Sequence, residues 1–200
     1  MKLTLPEAER LLATTTTDPH LIRHALNVRG ALEAFARHFG EPPEEVAHWG
    51  AVGYLHDYDY ERFPDAHLAH TEAELLAEGV DAADVRAIMS HGWSIVNDVT
   101  PETNLEKSLF AADELTGIVW ATALMRPTGI DDLEARSVLK KFKDKRFAAK
   151  CDRDIIRRGV ELLGIELSDA IALCIDGMRP YAHSAPQPLP TSQPTSQLAN

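Results

Sequence analysis

Apolar positions recur at helical spacing along most of the chain. Leu21, Ala25, Val28, Leu32, Phe35 and Phe39 fall three or four residues apart, which lines them along one face of a 3.6-residue repeat. Asp18-Pro19 supplies an N-cap followed by proline at the first helical position, and Gly40 with Pro42-Pro43 closes the segment. A second helix is expected over 43–55. Its far half, Trp49 to Leu55, is apolar almost all round, the mark of a buried central helix. Shorter helices are expected at 68–78 and 81–91, joined at Gly79. A long one at 105–126 opens at Thr103 or Asn104 and stops before Pro127. Three more are expected at about 131–142, 152–163 and 167–179. No segment sustains the two-residue alternation of a half-buried strand. The pattern predicts an all-α chain, a compact single-domain array of seven to nine helices over 1–183.

The pattern changes at Ser184. Beyond it Pro186, Pro188, Pro190 and Pro194 alternate with Ser, Thr and Gln. Such a stretch cannot bury enough surface to offset its ordering entropy, so 184–200 is expected to be a disordered tail. A length of 200 residues suits one domain. The balance of 44% apolar and 26% charged residues is that of a globular chain. Apolar runs are broken by Asp, His or Arg well before about 18 residues, so no membrane span is expected. Met1 to Arg10 carries two Glu and no apolar stretch, which argues against a secretory leader. Cys151 and Cys174 form no CxxC spacing and fit a reducing compartment, so a cytoplasmic location is expected.

Net charge is −11, which argues against extended nucleic acid as a partner. The charge is unevenly placed: residues 140–158 hold nine basic side chains against three acidic ones. Such a patch suits a small anionic ligand, or forms an ordinary solvated helix face.

Ionisable groups on apolar faces carry the chemical signal. His24 lies on the inner stripe of its helix, His56-Asp57 ends the most apolar helix, and Asp113 sits within Leu109-Phe110-Ala111-Ala112-Asp113-Glu114-Leu115. Each alone fits a plainer role, as a satisfied core histidine or an ion-paired aspartate. A buried carboxylate must be paired, protonated or metal-bound. Two imidazoles and two carboxylates on three apolar helices are most simply the ligands of a divalent ion. The chain has no GxxxxGK[ST] loop, GxGxxG turn, HExxH pair or G-x-S-x-G elbow, so those chemistries lack support.

The order H…HD…D resembles the signature of the HD superfamily of metal-dependent phosphohydrolases. The segment Leu55-His56-Asp57-Tyr58-Asp59-Tyr60-Glu61-Arg62-Phe63-Pro64-Asp65 is similar to a motif of a bacterial, largely uncharacterised branch of predicted hydrolases. Glu106 to Gly117 and Lys140 to Ala148 resemble later segments of that branch, and the likeness spans roughly 18–180. The resemblance implies a helical HD-type fold with His24, His56, Asp57 and Asp113 as ligands of one divalent metal. It does not distinguish Mn, Fe, Zn, Mg, Ni or Co. Some members hold a second metal, for which His67 and His91 stand at suitable places. The HPxxG pattern of those members becomes His67-Leu68-Ala69-His70-Thr71 here, with His70 as a substitute, and the HDIG variant is absent.

The implied activity is hydrolysis of a small phosphate ester, a nucleotide or related metabolite, by metal-activated water. Asp57 would hold the metal by one oxygen and use the other to orient the attacking water or bridge a second ion. Arg23, Lys141, Lys143 and Lys145 are candidates for the phosphate oxygens. Two other expectations compete. One is a di-iron oxygenase, which requires both His67 (or His70) and His91. The other is a non-catalytic module with a structural metal, whose 140–158 patch engages an acidic partner. The oligomeric state is not set by the sequence.

Overall fold

Capping chemistry places most helix boundaries where the pattern predicts them. In the computed structural model, which describes residues 1–184, the helices are α1 (Leu5–Leu12), α2 (Pro19–His38), α3 (Pro43–Leu55), α4 (Thr71–Ala77), α5 (Ala82–Ser90), α6 (Asn104–Leu124), α7 (Ala135–Phe142), α8 (Arg153–Leu163) and α9 (Leu167–Met178). Asp18 caps α2 by accepting from the His20 amide at 2.7 Å. A capping box opens α6: Thr103 Oγ1 accepts from the Glu106 amide at 3.2 Å, and Glu106 Oε2 accepts from the Thr103 amide at 3.0 Å. Gly164, at φ +67°, ends α8 in the left-handed conformation that glycine adopts without strain.

Three boundaries differ from expectation. The structure adds α1, opened by Thr4, whose hydroxyl and amide both meet the Glu7 carboxylate. At eight residues α1 is too short to stand alone. Burial of Leu3, Ala8, Leu11 and Leu12 supplies its stability, against α3. The predicted helix at 68–78 begins only at Thr71, because Leu68 turns through φ +66°. The one predicted from 131 begins at Ala135, because Asp132 Oδ1 instead closes a turn with the Arg126 and Thr128 side chains.

The described residues form an all-helical, compact array. No strand occurs among the described residues beyond an isolated bridge between Trp93 and Asn97. None of their helices is long and apolar enough to cross a membrane. The predicted tail at 184–200 lies, apart from Ser184, outside the described residues. Buried side chains from Leu3 to Met178 form one cluster.

At its centre α2 lies between α3 and α9, and α6 packs on α2 and α8. Two crossings bring backbones together through glycine. A Cβ on Gly177 would sit 2.0 Å from the Gly30 carbonyl oxygen, and one on Gly159 would sit 2.5 Å from the Ala111 Cβ. The three central helices α2, α3 and α6 each deliver part of the His/Asp set.

Candidate metal centre

Helix ends aim two of the histidines. His56 follows the last residue of α3 and His91 the last of α5, where backbone carbonyls have no intrahelical partner. His56 Nδ1–H donates to the Gly53 carbonyl at 2.8 Å, and His91 Nδ1–H donates to the Ile88 carbonyl at 2.6 Å. A carbonyl only accepts, so the proton sits on Nδ1 and the Nε2 lone pair is left for a ligand. His67 reaches the same state through Asp59: its Nδ1 lies 3.0 Å from Asp59 Oδ1. Asp59 is fully buried and also accepts from the Leu68 and His70 amides. Burial opposes its charge, but His67 and these two amides outweigh it and hold its pKa at about 2.

The Nε2 atoms converge with two carboxylates. His24 Nε2 lies 3.1 Å from His56 Nε2, 2.9 Å from Asp113 Oδ1 and 3.6 Å from Asp57 Oδ2. His56 Nε2 is 3.4 Å from both Asp57 Oδ2 and Asp113 Oδ1. A second set adjoins the first. His67 Nε2 lies 2.9 Å from His91 Nε2, and Asp57 Oδ1 is 3.3 and 3.7 Å from them. Two donors each about 2.1 Å from one ion, at right angles, lie about 3.0 Å apart. The observed separations lie near that figure, and three overlapping trios (His24, His56 and Asp57; His56, His91 and Asp113; Asp57, His67 and His91) could each hold a divalent ion. Asp57 is shared: one oxygen faces His24 and His56, the other faces His67 and His91.

The structure therefore brings together His24, His56, Asp57 and Asp113, and adds His67 and His91 beside them. His70 stays out, its ring against Phe63 with centroids 4.0 Å apart.

The four candidate phosphate contacts are not gathered, and this corrects the expectation. Arg23 turns away to the Tyr181 and Ser184 carbonyls and lies over Trp120. Lys141 lies over the Phe147 ring, while Lys143 and Lys145 line a separate cavity with Arg157. The reason is Arg153, which is buried and donates to the carbonyls of Phe142, Asp144, Phe147, Ala148 and Cys151. The loop wound around this guanidinium presents Lys150 and Cys151, not the earlier lysines, to the cavity above the cluster. That cavity holds about 370 Å³ and is also lined by Leu21, Tyr60, Ile95, Val96 and Glu114.

Sequence reasoning missed Lys150, Asp59 and Glu114 as site residues. Asp59 alone left a signal, two positions after Asp57 in the motif. Burial and the adjacent Asp113 charge push Glu114 up to about 7, against a bond from the Asp152 amide. Burial pushes the Cys151 thiol up to about 11, which leaves it a poor nucleophile. Comparison with known protein families, curated proteins and solved structures finds no match for the chain.

Protons and metal compete for this cluster. Burial alone would lower His24, but its bond to Asp113 and the charges of Asp113, Asp57 and Glu114 raise it to about 9. His67 is raised in the same way, against burial, by Asp59 and the neighbouring carboxylates. Burial and the His56 charge push His91 down to about 4, so it is neutral without help. At neutral pH the metal-free cluster thus holds an imidazolium at His24, which must lose its proton to bind metal. Mn²⁺ affinity is expected to rise about tenfold per pH unit for each proton displaced, and to level off near pH 9. Calorimetry in two buffers of different ionisation enthalpy measures the protons released. An affinity constant between pH 6 and 8, with no proton release, would contradict the assignment.

Proposed function

We infer that the protein is an HD-type metal-dependent phosphohydrolase acting on a small phosphate ester. The observation that carries this is the carboxylate of Asp57, divided between two histidine-lined positions on the floor of one cavity. Divalent ions there would supply Lewis acidity, bringing the pKa of water toward neutrality and polarising a phosphoryl oxygen. Asp57 and Asp113 neutralise the bound charge and set its position. The Nδ1 bonds of His56, His67 and His91 hold each ring in the orientation needed for its Nε2.

Lys150 is the one Lys or Arg among the described lining residues, which supports a role for it in meeting the non-bridging phosphate oxygens. Against it stand Asp57, Asp113 and Glu114, so affinity for phosphate would depend on bound metal. Glu114 also lines this cavity, which supports a role in exchanging a proton with water or the leaving oxygen.

The gathering of both His67 and His91 also supports a second reading, a di-iron oxygenase. Elemental analysis of the purified protein, followed by a screen of phosphate mono- and diesters with and without chelator, separates the readings. The expected result is up to two metals per chain and phosphate release that chelation abolishes. Two irons with substrate-dependent oxygen uptake would establish the oxygenase instead. Full metal occupancy without turnover of any ester would leave a metal-stabilised binding module.

A further inference from the structure

The lining of the cavity above the metal cluster is of two chemical kinds. Lys150 and Glu114, with the His/Asp cluster, are polar. Opposite chemistry comes from Tyr60, Ile95 and Val96, which are 38%, 53% and 50% exposed. Seven large hydrophobic side chains are exposed among the described residues, and these three all line this one cavity.

The turn that carries Ile95 and Val96 is built rather than slack. The amides of Ile95, Val96 and Asn97 all donate to the Gly92 carbonyl, at 3.0, 2.9 and 3.2 Å. Asn97 Nδ2 donates to the Met89 carbonyl at 2.8 Å, and Arg158 Nη1 donates to Ser94 Oγ at 2.8 Å. The Arg158 guanidinium also lies over the Trp93 ring. Gly92 directly follows His91, and a Cβ there would meet Leu68, Asn97 and Val96 side chains within 2.7 Å. The apolar wall is therefore tied covalently and sterically to a candidate metal ligand. Exposed β-branched side chains on a braced turn lose hydrophobic free energy unless a ligand covers them.

We propose that the substrate is a phosphomonoester whose alcohol part is compact and apolar, an aryl or branched alkyl group of about one ring. Its phosphate lies on the metal floor beside Lys150, and its apolar group lies against Tyr60, Ile95 and Val96. One cation suits one phosphate group. A volume of about 370 Å³ is at the small end for ligand sites and suits one phosphate with one small apolar group. This deepens the phosphohydrolase reading and rests on it.

Binding of two non-hydrolysable probes, phenylphosphonate and methylphosphonate, to the Mn²⁺-loaded protein tests the wall without relying on turnover. Phenylphosphonate is expected to bind on the order of tenfold to a hundredfold more tightly. In the double variant Ile95→Ser, Val96→Ser that ratio is expected to fall toward one. Both side chains are half exposed, so neither is needed for folding. Equal binding of the two probes to the wild type would overturn the apolar wall while leaving the phosphohydrolase reading in place. A preference that survives in the double variant would overturn the assignment to Ile95 and Val96. Failure of both probes to bind the loaded protein would count against the phosphate-ester site itself, and the inference would fall with it.

Discussion

Asp57→Asn is expected to leave the helical fold in place and to remove both metals and metal-dependent ester hydrolysis. The substitution keeps the side chain's shape and deletes the one charge that both donor sets share. An amide also turns one of the two oxygens into a donor, so at least one set gains an NH₂ where it needs a lone pair. Loss of an outer-shell partner alone costs about 10–100-fold in metal affinity, and loss of a shared ligand exceeds that, to more than about a hundredfold. Hydrolysis is expected to fall with it to background. His67→Ala provides the contrast, because its Nε2 reaches only the second set. That variant should lose one metal and keep the other. Metal content, helical circular dichroism and ester turnover, measured on the same preparations, decide the matter. Wild-type metal content in Asp57→Asn would remove the shared-carboxylate assignment.

Gly177→Ala is expected to destabilise the protein by more than about 3 kcal/mol. Helix propensity alone predicts the opposite sign, since alanine is favoured over glycine by about 1 kcal/mol in a helix interior. The crossing of α2 and α9 decides the sign. The new Cβ would lie 2.0 Å from the Gly30 carbonyl oxygen, 2.5 Å from its carbon and 3.0 Å from the Ala31 nitrogen. All three are backbone atoms, so no rotamer change relieves the clash and the helices must separate. A melting temperature about 10 °C lower follows for a chain of this size. Because α2 also carries His24, metal affinity should weaken in the same variant. An unchanged or raised melting temperature would show that the two backbones do not meet.

The four inward-facing His and Asp residues and the helices that carry them were legible from residue order because both rest on local rules. A cap, a proline or a 3.6-residue stripe acts within a few positions, and a charged group on an apolar stripe stands out against its neighbours. His24, His56, Asp57 and Asp113 were found in that way. His67 and His91 were expected only through the family resemblance, as candidates for a second metal, and the packing sets their Nε2 atoms beside Asp57. The helix α1 was not legible, since eight residues form a helix only when Leu3, Leu11 and Leu12 have something to pack against.

What residue order alone determined is an all-helical chain with an inward-facing His/Asp set. Tertiary structure decided the division of Asp57 between two positions, the anchoring of His67 by Asp59, and which cations reach the cavity. Arg23, Lys141, Lys143 and Lys145 were plausible by charge and position, yet Lys150 is the one the loop presents. The reason is physical. The direction of a side chain outside a helix follows the path of its backbone, and here that path is set by Arg153 gathering carbonyls from across the loop. No periodic pattern encodes such an irregular arrangement of one guanidinium on five carbonyls, whereas helical periodicity is written into every turn.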